Sequence, residues 1–194
     1  MFKQYINNQS SGDSQDFWIE NWDKESVESQ LTALEWSEYI PIFKKYIPAD
    51  FKGYILENGC GLGAAVQYFH QYNLKTIGVD YKIEPLIRQK KYKSDIRLIN
   101  ANGFILPLNT NSIDVCVSLG VIEHFEQIYE GMIKECHRVL KPGGLIIISV
   151  PYYNLCERIR FNFIRNSGVF YQYLFTASEF KKIIISNNFH LLSL

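Results

Sequence analysis

The sequence predicts an α/β protein: a doubly wound, mostly parallel sheet with helices on both faces and a helical extension before it. Two observations carry that prediction. From residue 54 to residue 150, short β-branched runs alternate with segments whose apolar residues recur at helical spacing. The strand-like runs are apolar throughout, as strands covered on both sides must be.

Residues 1–14 are polar and read as a loose arm. Residues 15–47 have a helical, aromatic-rich pattern, and Pro41 inside it predicts a kink or two helices. The first strand is 54–56, followed by a helix presenting Leu62, Ala65, Val66, Phe69 and Tyr72. The second strand is 76–79, the next helix 84–92, the third strand 96–99 and the fourth 113–119. A helix over 125–140 would bury Ile128, Met132, Ile133, Cys136, Val139 and Leu140. Lys141-Pro142-Gly143-Gly144 would then stop it and turn the chain into a fifth strand, 145–150. Thr176 and Glu179 have capping-box spacing at the start of the last helix, and 189–194 reads as a sixth strand.

With 194 residues, 47% of them hydrophobic, the chain can bury one sizeable core, so 1–194 reads as a single domain. Twenty basic and twenty acidic side chains cancel, which leaves no electrostatic footprint for nucleic acid or an anionic membrane. The four cysteines, at 60, 116, 136 and 156, include no CxxC and no His at ligand spacing, so no metal site is expected. Without a signal-peptide pattern or an apolar run of about eighteen residues, the expectation is a soluble, cytoplasmic chain with free thiols.

Chemistry concentrates in Glu57-Asn58-Gly59-Cys60-Gly61-Leu62-Gly63, between the first strand and its helix. Glycines there let the backbone turn tightly and approach a ligand, and the helix N–H groups then face that ligand. Gly59, Gly61 and Ala64 also satisfy a dinucleotide-binding pattern, with Asp80 where a ribose-binding acid belongs. A ligand-free turn and a helix-capping Asp80 are the structural alternatives. Glu57 tips the balance toward a ligand carrying an ammonium group, because a carboxylate repels a pyrophosphate.

The run 55–63 resembles the first motif of class I S-adenosylmethionine-dependent methyltransferases. Gly78-Val79-Asp80, the segment from Asn102 through Leu106-Pro107-Leu108 to Asn111-Ser112-Ile113-Asp114, Val121-Ile122-Glu123-His124-Phe125 and Arg138–Gly144 follow in that family's order. The resemblance covers about residues 53–151 and implies a Rossmann-like, cofactor-binding core there. It implies S-adenosyl-L-methionine as cofactor, held by Glu57, Gly59, Cys60 and Gly61 at its methionine end. Asp80 would bind the ribose hydroxyls, Tyr81 would flank the adenine, Asn102 and Gly103 would lie at its amino group, and Leu119 would lie near the sulfonium. Asn58 departs from the family pattern, and its side chain is expected to point to solvent. The family's final antiparallel strand is expected to be missing after 189–194, which leaves two readings, a fragment or an unusual sheet edge.

The acceptor is expected to be a small molecule, with no nucleic-acid or membrane partner; the oligomeric state stays open. His124 is the first candidate for a general base, against a bland reading as a packed residue at a helix start. Glu123 has the same two readings. Residues 1–47 and 152–175 would form lids over the site, with Trp18, Trp22, Tyr152, Tyr153 and Arg158 as contact candidates, or would simply pack on the sheet. A nicotinamide-dependent oxidoreductase and a non-catalytic cofactor-binding domain remain as alternative functions.

Overall fold

The structure, a computed structural model, describes residues 1–6, 22, 24–126, 129–154 and 169–194. In chain order the elements are β1 (Phe2–Ile6), α1 (Val27–Glu35), α2 (Tyr39–Tyr46), β2 (Tyr54–Asn58), α3 (Ala64–Gln71), β3 (Lys75–Asp80) and α4 (Ile83–Tyr92). They continue with β4 (Arg97–Asn100), β5 (Ile113–Leu119), a 3-10 turn (Ile122–His124), α5 (Tyr129–Val139), β6 (Leu140–Ser149), β7 (Val169–Leu174) and α6 (Ala177–Ser186).

Five strands form one parallel sheet in the order β4-β3-β2-β5-β6. The chain starts at the central β2, winds outward to β4 and returns to β5. The order therefore reverses between β2 and β5, where open α/β sheets leave a crevice at the strands' carboxyl ends. Successive side chains of these strands enter opposite cores. Ile55, Val115 and Val117 pack with Leu31, Leu34, Phe43 and Phe69 from α1, α2 and α3. Leu56 and Cys116 pack with Cys136, Val139 and Leu140 on the opposite face. Both faces being covered, no polar alternation survives in the sequence.

The break predicted around Pro41 is present, but Pro41 does not make it. Trp36 to Glu38 separate α1 from α2, and Pro41 sits in the first turn of α2, where a backbone N–H has no partner inside the helix. The Thr176–Glu179 capping box forms as its spacing predicts. No helix among the described residues is long and apolar enough to cross a membrane.

Three elements differ from the sequence reading. Residues 2–6 are not a loose arm: β1 pairs antiparallel with β7, from Phe2 opposite Leu174 to Ile6 opposite Val169. Phe2 stacks on Tyr153 at 5.1 Å and Lys3 Nζ reaches Glu126 Oε1 at 2.8 Å. The partner strand lies more than 160 residues away, so nothing local marks the pairing.

The Lys141–Gly144 run lies within β6 and does not precede it. Ile113 of β5 faces Leu140, yet Val115 faces Leu145, so the six residues 140–145 of β6 span the space of the three residues 113–115 of β5. The surplus bulges outward at Gly143, whose φ of 77° suits a residue without a Cβ.

Residues 189–194 form no strand. Phe189 packs edge-on against His137 at 5.1 Å, and Tyr46 Oη donates to Ser193 Oγ at 3.2 Å. A groove of about 1250 Å³ separates this tail from β6. α6 lies over the end of β6 because Phe180 and Ile184 pack with Ile148 and Val150.

Candidate functional site

The loop between β2 and α3 needs its glycines. Gly59, Gly61 and Gly63 have φ of 83°, 48° and 69°, a left-handed region that side chains disfavour. A Cβ on Gly59 would stand 2.6 Å from Val121 Cγ2, and one on Gly61 would stand 2.7 Å from the Trp22 ring. The loop is thus wedged by Val121 below and roofed by Trp22 above. Arg88 of α4 holds that roof by donating to the Trp22 and Glu25 carbonyls. From the same helix, the fully buried Gln89 donates through Nε2 to Gly61 O at 2.5 Å. The sequence reading missed Gln89; its position one turn after the buried Leu86 was the available signal.

Asp80 ends β3 facing this loop. Its Oδ2 accepts from Gly61 N–H at 2.7 Å and its Oδ1 from Lys82 N–H at 2.8 Å. Burial raises its pKa above the usual carboxylate value, while those N–H groups pull it back. Lys82 rather than Asp80 occupies the N-cap of α4, so the capping alternative does not describe it. Tyr81 beside it is 61% exposed, with Lys82 Nζ 5.9 Å from its ring centroid. Exposed Asn102 turns its Oδ1 onto Phe104 N–H at 2.9 Å.

Glu57 is buried and already used. Its Oε2 accepts from Val66 N–H, in the first turn of α3, at 2.8 Å. Burial pushes its pKa up to about 8. Cys60 is buried too, and burial raises its thiol well above the ordinary value. Asn58 does not point to solvent: it is fully buried and donates to Gly103 O at 3.1 Å. With a cysteine and a carbonyl behind it, the position rewards an amide donor over the apolar residue common in the family. Gly103 is small by necessity, since a Cβ would lie 2.5 Å from Asn58 Oδ1.

Leu119, half-buried, ends β5 and leads through exposed Gly120 into the 3-10 turn. Glu123 there is 2% exposed, and its buried Oε2 has no hydrogen-bond partner among the described residues; burial lifts its pKa to about 8. His124 Nδ1 lies 2.8 Å from Tyr171 O, and its Nε2 lies 3.9 Å from Glu123 Oε1. Burial pushes the imidazole down to about 4, so it is neutral at pH 7. A carbonyl can only accept, so Nδ1 carries the proton and Nε2 the lone pair. Tyr171 arrives on β7, so the β1–β7 ribbon covers this turn.

Of the five lid candidates, Trp22 meets the glycine loop. Tyr153 instead underlies the ribbon through Phe2. Tyr152 bridges to Phe175 and borders the groove beside β6. Trp18 and Arg158 lie outside the described residues.

The methyltransferase domain family matches residues 56–148, from the loop through β6. A Mycolicibacterium smegmatis protein named as a probable S-adenosylmethionine-dependent methyltransferase is 36% identical over 99 residues, 50% of this chain and 37% of that protein. The tRNA N(3)-methylcytidine methyltransferase of Drosophila melanogaster is 27% identical over 150 residues, 66% of this chain and 46% of that protein. The chain thus spans less than half the length of these two relatives. Among solved structures, a complex of the Haloferax volcanii Trm112 methyltransferase activator with a methyltransferase shares the fold. It has a TM-score of 0.70 and 16% identity over 95% of this chain and 80% of that one. The ordered motifs, the sheet that reverses beside a glycine loop and these matches together make residues 56–148 a methyltransferase domain of the class I S-adenosylmethionine-dependent type, a family whose cofactor is S-adenosyl-L-methionine.

Proposed function

We propose that the chain transfers a methyl group from S-adenosyl-L-methionine to a small-molecule acceptor by in-line displacement. One observation carries the cofactor half of this reading: Asp80 is clamped to the glycine loop through Gly61 N–H. Each of its oxygens accepts one backbone bond and keeps capacity for another, which suits the two hydroxyls of a ribose. The exposed ring of Tyr81 stands next in sequence for the base, and the N-terminal turn of α3 takes the methionine end. Glu57 has one oxygen committed to Val66 N–H, so its second oxygen and its field are what it offers an ammonium group.

When bound, the cofactor supplies the electrophilic methyl, and the protein aligns the acceptor and excludes water. Leu119 and the ribbon-covered turn after it form the acceptor side of the crevice. His124 presents a neutral imidazole there, with Nδ1 toward Tyr171 O and Nε2 as its unprotonated nitrogen, the group this reading assigns as a base for a proton-bearing acceptor. Zero net charge favours a small acceptor over a polyanionic one. Reducing surroundings for its thiols and a cytoplasmic location accompany this reading.

A thermal-shift titration tests it. S-adenosylmethionine and S-adenosylhomocysteine should raise the melting temperature and NAD should not. Asp80→Ala should weaken both cofactor forms at least about tenfold, as expected for two lost hydroxyl bonds. Stabilisation by NAD alone would overturn the assignment.

A further inference from the structure

Gln89, in the last turn of α4, is polar and completely buried. Its Nε2 donates to Gly61 O at 2.5 Å and lies 3.7 Å from Cys60 Sγ. A carbonyl oxygen only accepts, so the NH2 of the amide and not its oxygen must face Gly61. That orientation leaves Oε1 buried, with no hydrogen-bond partner among the described residues. The same end of the side chain fills the space beside Gly63, where a Cβ would collide with it. An orphaned amide oxygen costs stability, and an apolar side chain of equal size would fill this space without it. What the amide supplies instead is a donor to the glycine loop.

Gly61 is thereby held through both of its polar groups. Its N–H goes to Asp80 Oδ2 at 2.7 Å, and its carbonyl goes to Gln89. The peptide groups before and after it are each fixed by a side chain, at a φ of 48° where glycine has wide freedom. Asp80 ends β3 and Gln89 sits on the helix that follows, so one strand–helix unit grips Gly61 twice.

We propose that Gln89 is a positioning residue for the cofactor. Its amide locks the Gly61–Leu62 peptide and, through the Gly61 N–H, sets the orientation in which Asp80 meets the ribose. This rests on the cofactor assignment above. Gln89 acts through Gly61 and not on the reacting atoms. A ligand that meets a loop already held in one conformation does not have to order it, so the lock contributes to affinity.

The experiment separates positioning from folding. Dissociation constants for S-adenosylhomocysteine are measured by calorimetry, well below the melting temperature, in the unmodified chain, Gln89→Met and Ile184→Ala. Ile184 of α6 packs on the end of β6, so its truncation lowers the melting temperature and should leave the dissociation constant unchanged. Gln89→Met keeps the volume but removes the donor. It should weaken binding about five- to tenfold, and the Gly61 amide proton signal should move upfield as its bond to Asp80 weakens. Equal affinity in Gln89→Met and the unmodified chain would overturn the proposal. So would an equal loss in Ile184→Ala, because stability alone would then explain the effect. The unmodified chain supplies a reading even if Gln89→Met does not fold. As S-adenosylhomocysteine is added, the Gln89 side-chain amide signals should shift in step with the Gly61 amide, and signals that stay in place would sink the idea. If the unmodified chain binds neither S-adenosylmethionine nor S-adenosylhomocysteine, the cofactor assignment itself falls, and this inference with it.

Discussion

Two buried carboxylates flank the crevice, and their surroundings assign them different work. Glu57, at the end of β2, and Glu123, in the turn after β5, are each pushed to about pH 8 by desolvation. Glu57 answers the N-terminal turn of α3 through Val66 N–H at 2.8 Å. Glu123 keeps an oxygen with no hydrogen-bond partner among the described residues. Burial alone therefore does not mark a functional acid; what the burial leaves unsatisfied does. Glu57 helps build the glycine loop, and Glu123 lies in the turn after β5.

The largest expected effect is on the pH dependence of stability. Both acids ionise near 4.5 once unfolded but hold their protons in the fold until about pH 8. The unfolded state thus loses protons first, and stability falls as pH rises from about 4.5 to about 8, then levels off. Denaturant midpoints across that window should fall, and Glu57→Gln and Glu123→Gln should each remove part of the slope. A flat profile would mean that both acids are ionised and paired.

Next in size is the contact joining the two regions. Gly59→Ala places a Cβ against Val121 at a φ of 83° and should cost about 2–3 kcal/mol in chemical denaturation. Val121→Ala in the same chain should recover part of that loss, leaving only the backbone component. Additive losses would separate the two regions that Val121 is argued to join.

The smallest effect sharpens the contrast between the acids. Glu57→Ala, measured at pH 5, should cost about 1 kcal/mol as Val66 N–H loses its acceptor, and Glu57→Gln should cost less because its amide oxygen can still accept. Glu123→Gln, with no bond to lose at Oε2, should leave the melting temperature at pH 5 nearly unchanged. A loss at Glu123 equal to that at Glu57 would erase the distinction.

The glycine loop, Asp80 and the alternating βα units were legible because their causes are local. A left-handed turn demands glycine, and a doubly covered strand demands uninterrupted apolar residues. Gln89 was not legible, since a glutamine on a helix resembles any solvent-facing one until the loop it braces is seen. Asn58 was read as facing solvent because its partners, Gly103 O and Cys136, come from distant elements. The pairing of β1 with β7 was hidden for the same reason: five residues with three apolar ones among them carry no register until a partner strand is present.

Sequence by itself determined the parallel α/β sheet, the glycine loop and the acid that faces it, because periodicity and backbone strain act within a few residues. Only the tertiary structure decided that residues 2–6 help cover the turn after β5, that 189–194 form no strand, and that His124 is held neutral by burial. It also decided that Glu57 finds the Val66 N–H, while Oε2 of Glu123 has no hydrogen-bond partner among the described residues. Those outcomes depend on desolvation and on contacts between segments far apart in the chain, and neither quantity exists until the chain has folded.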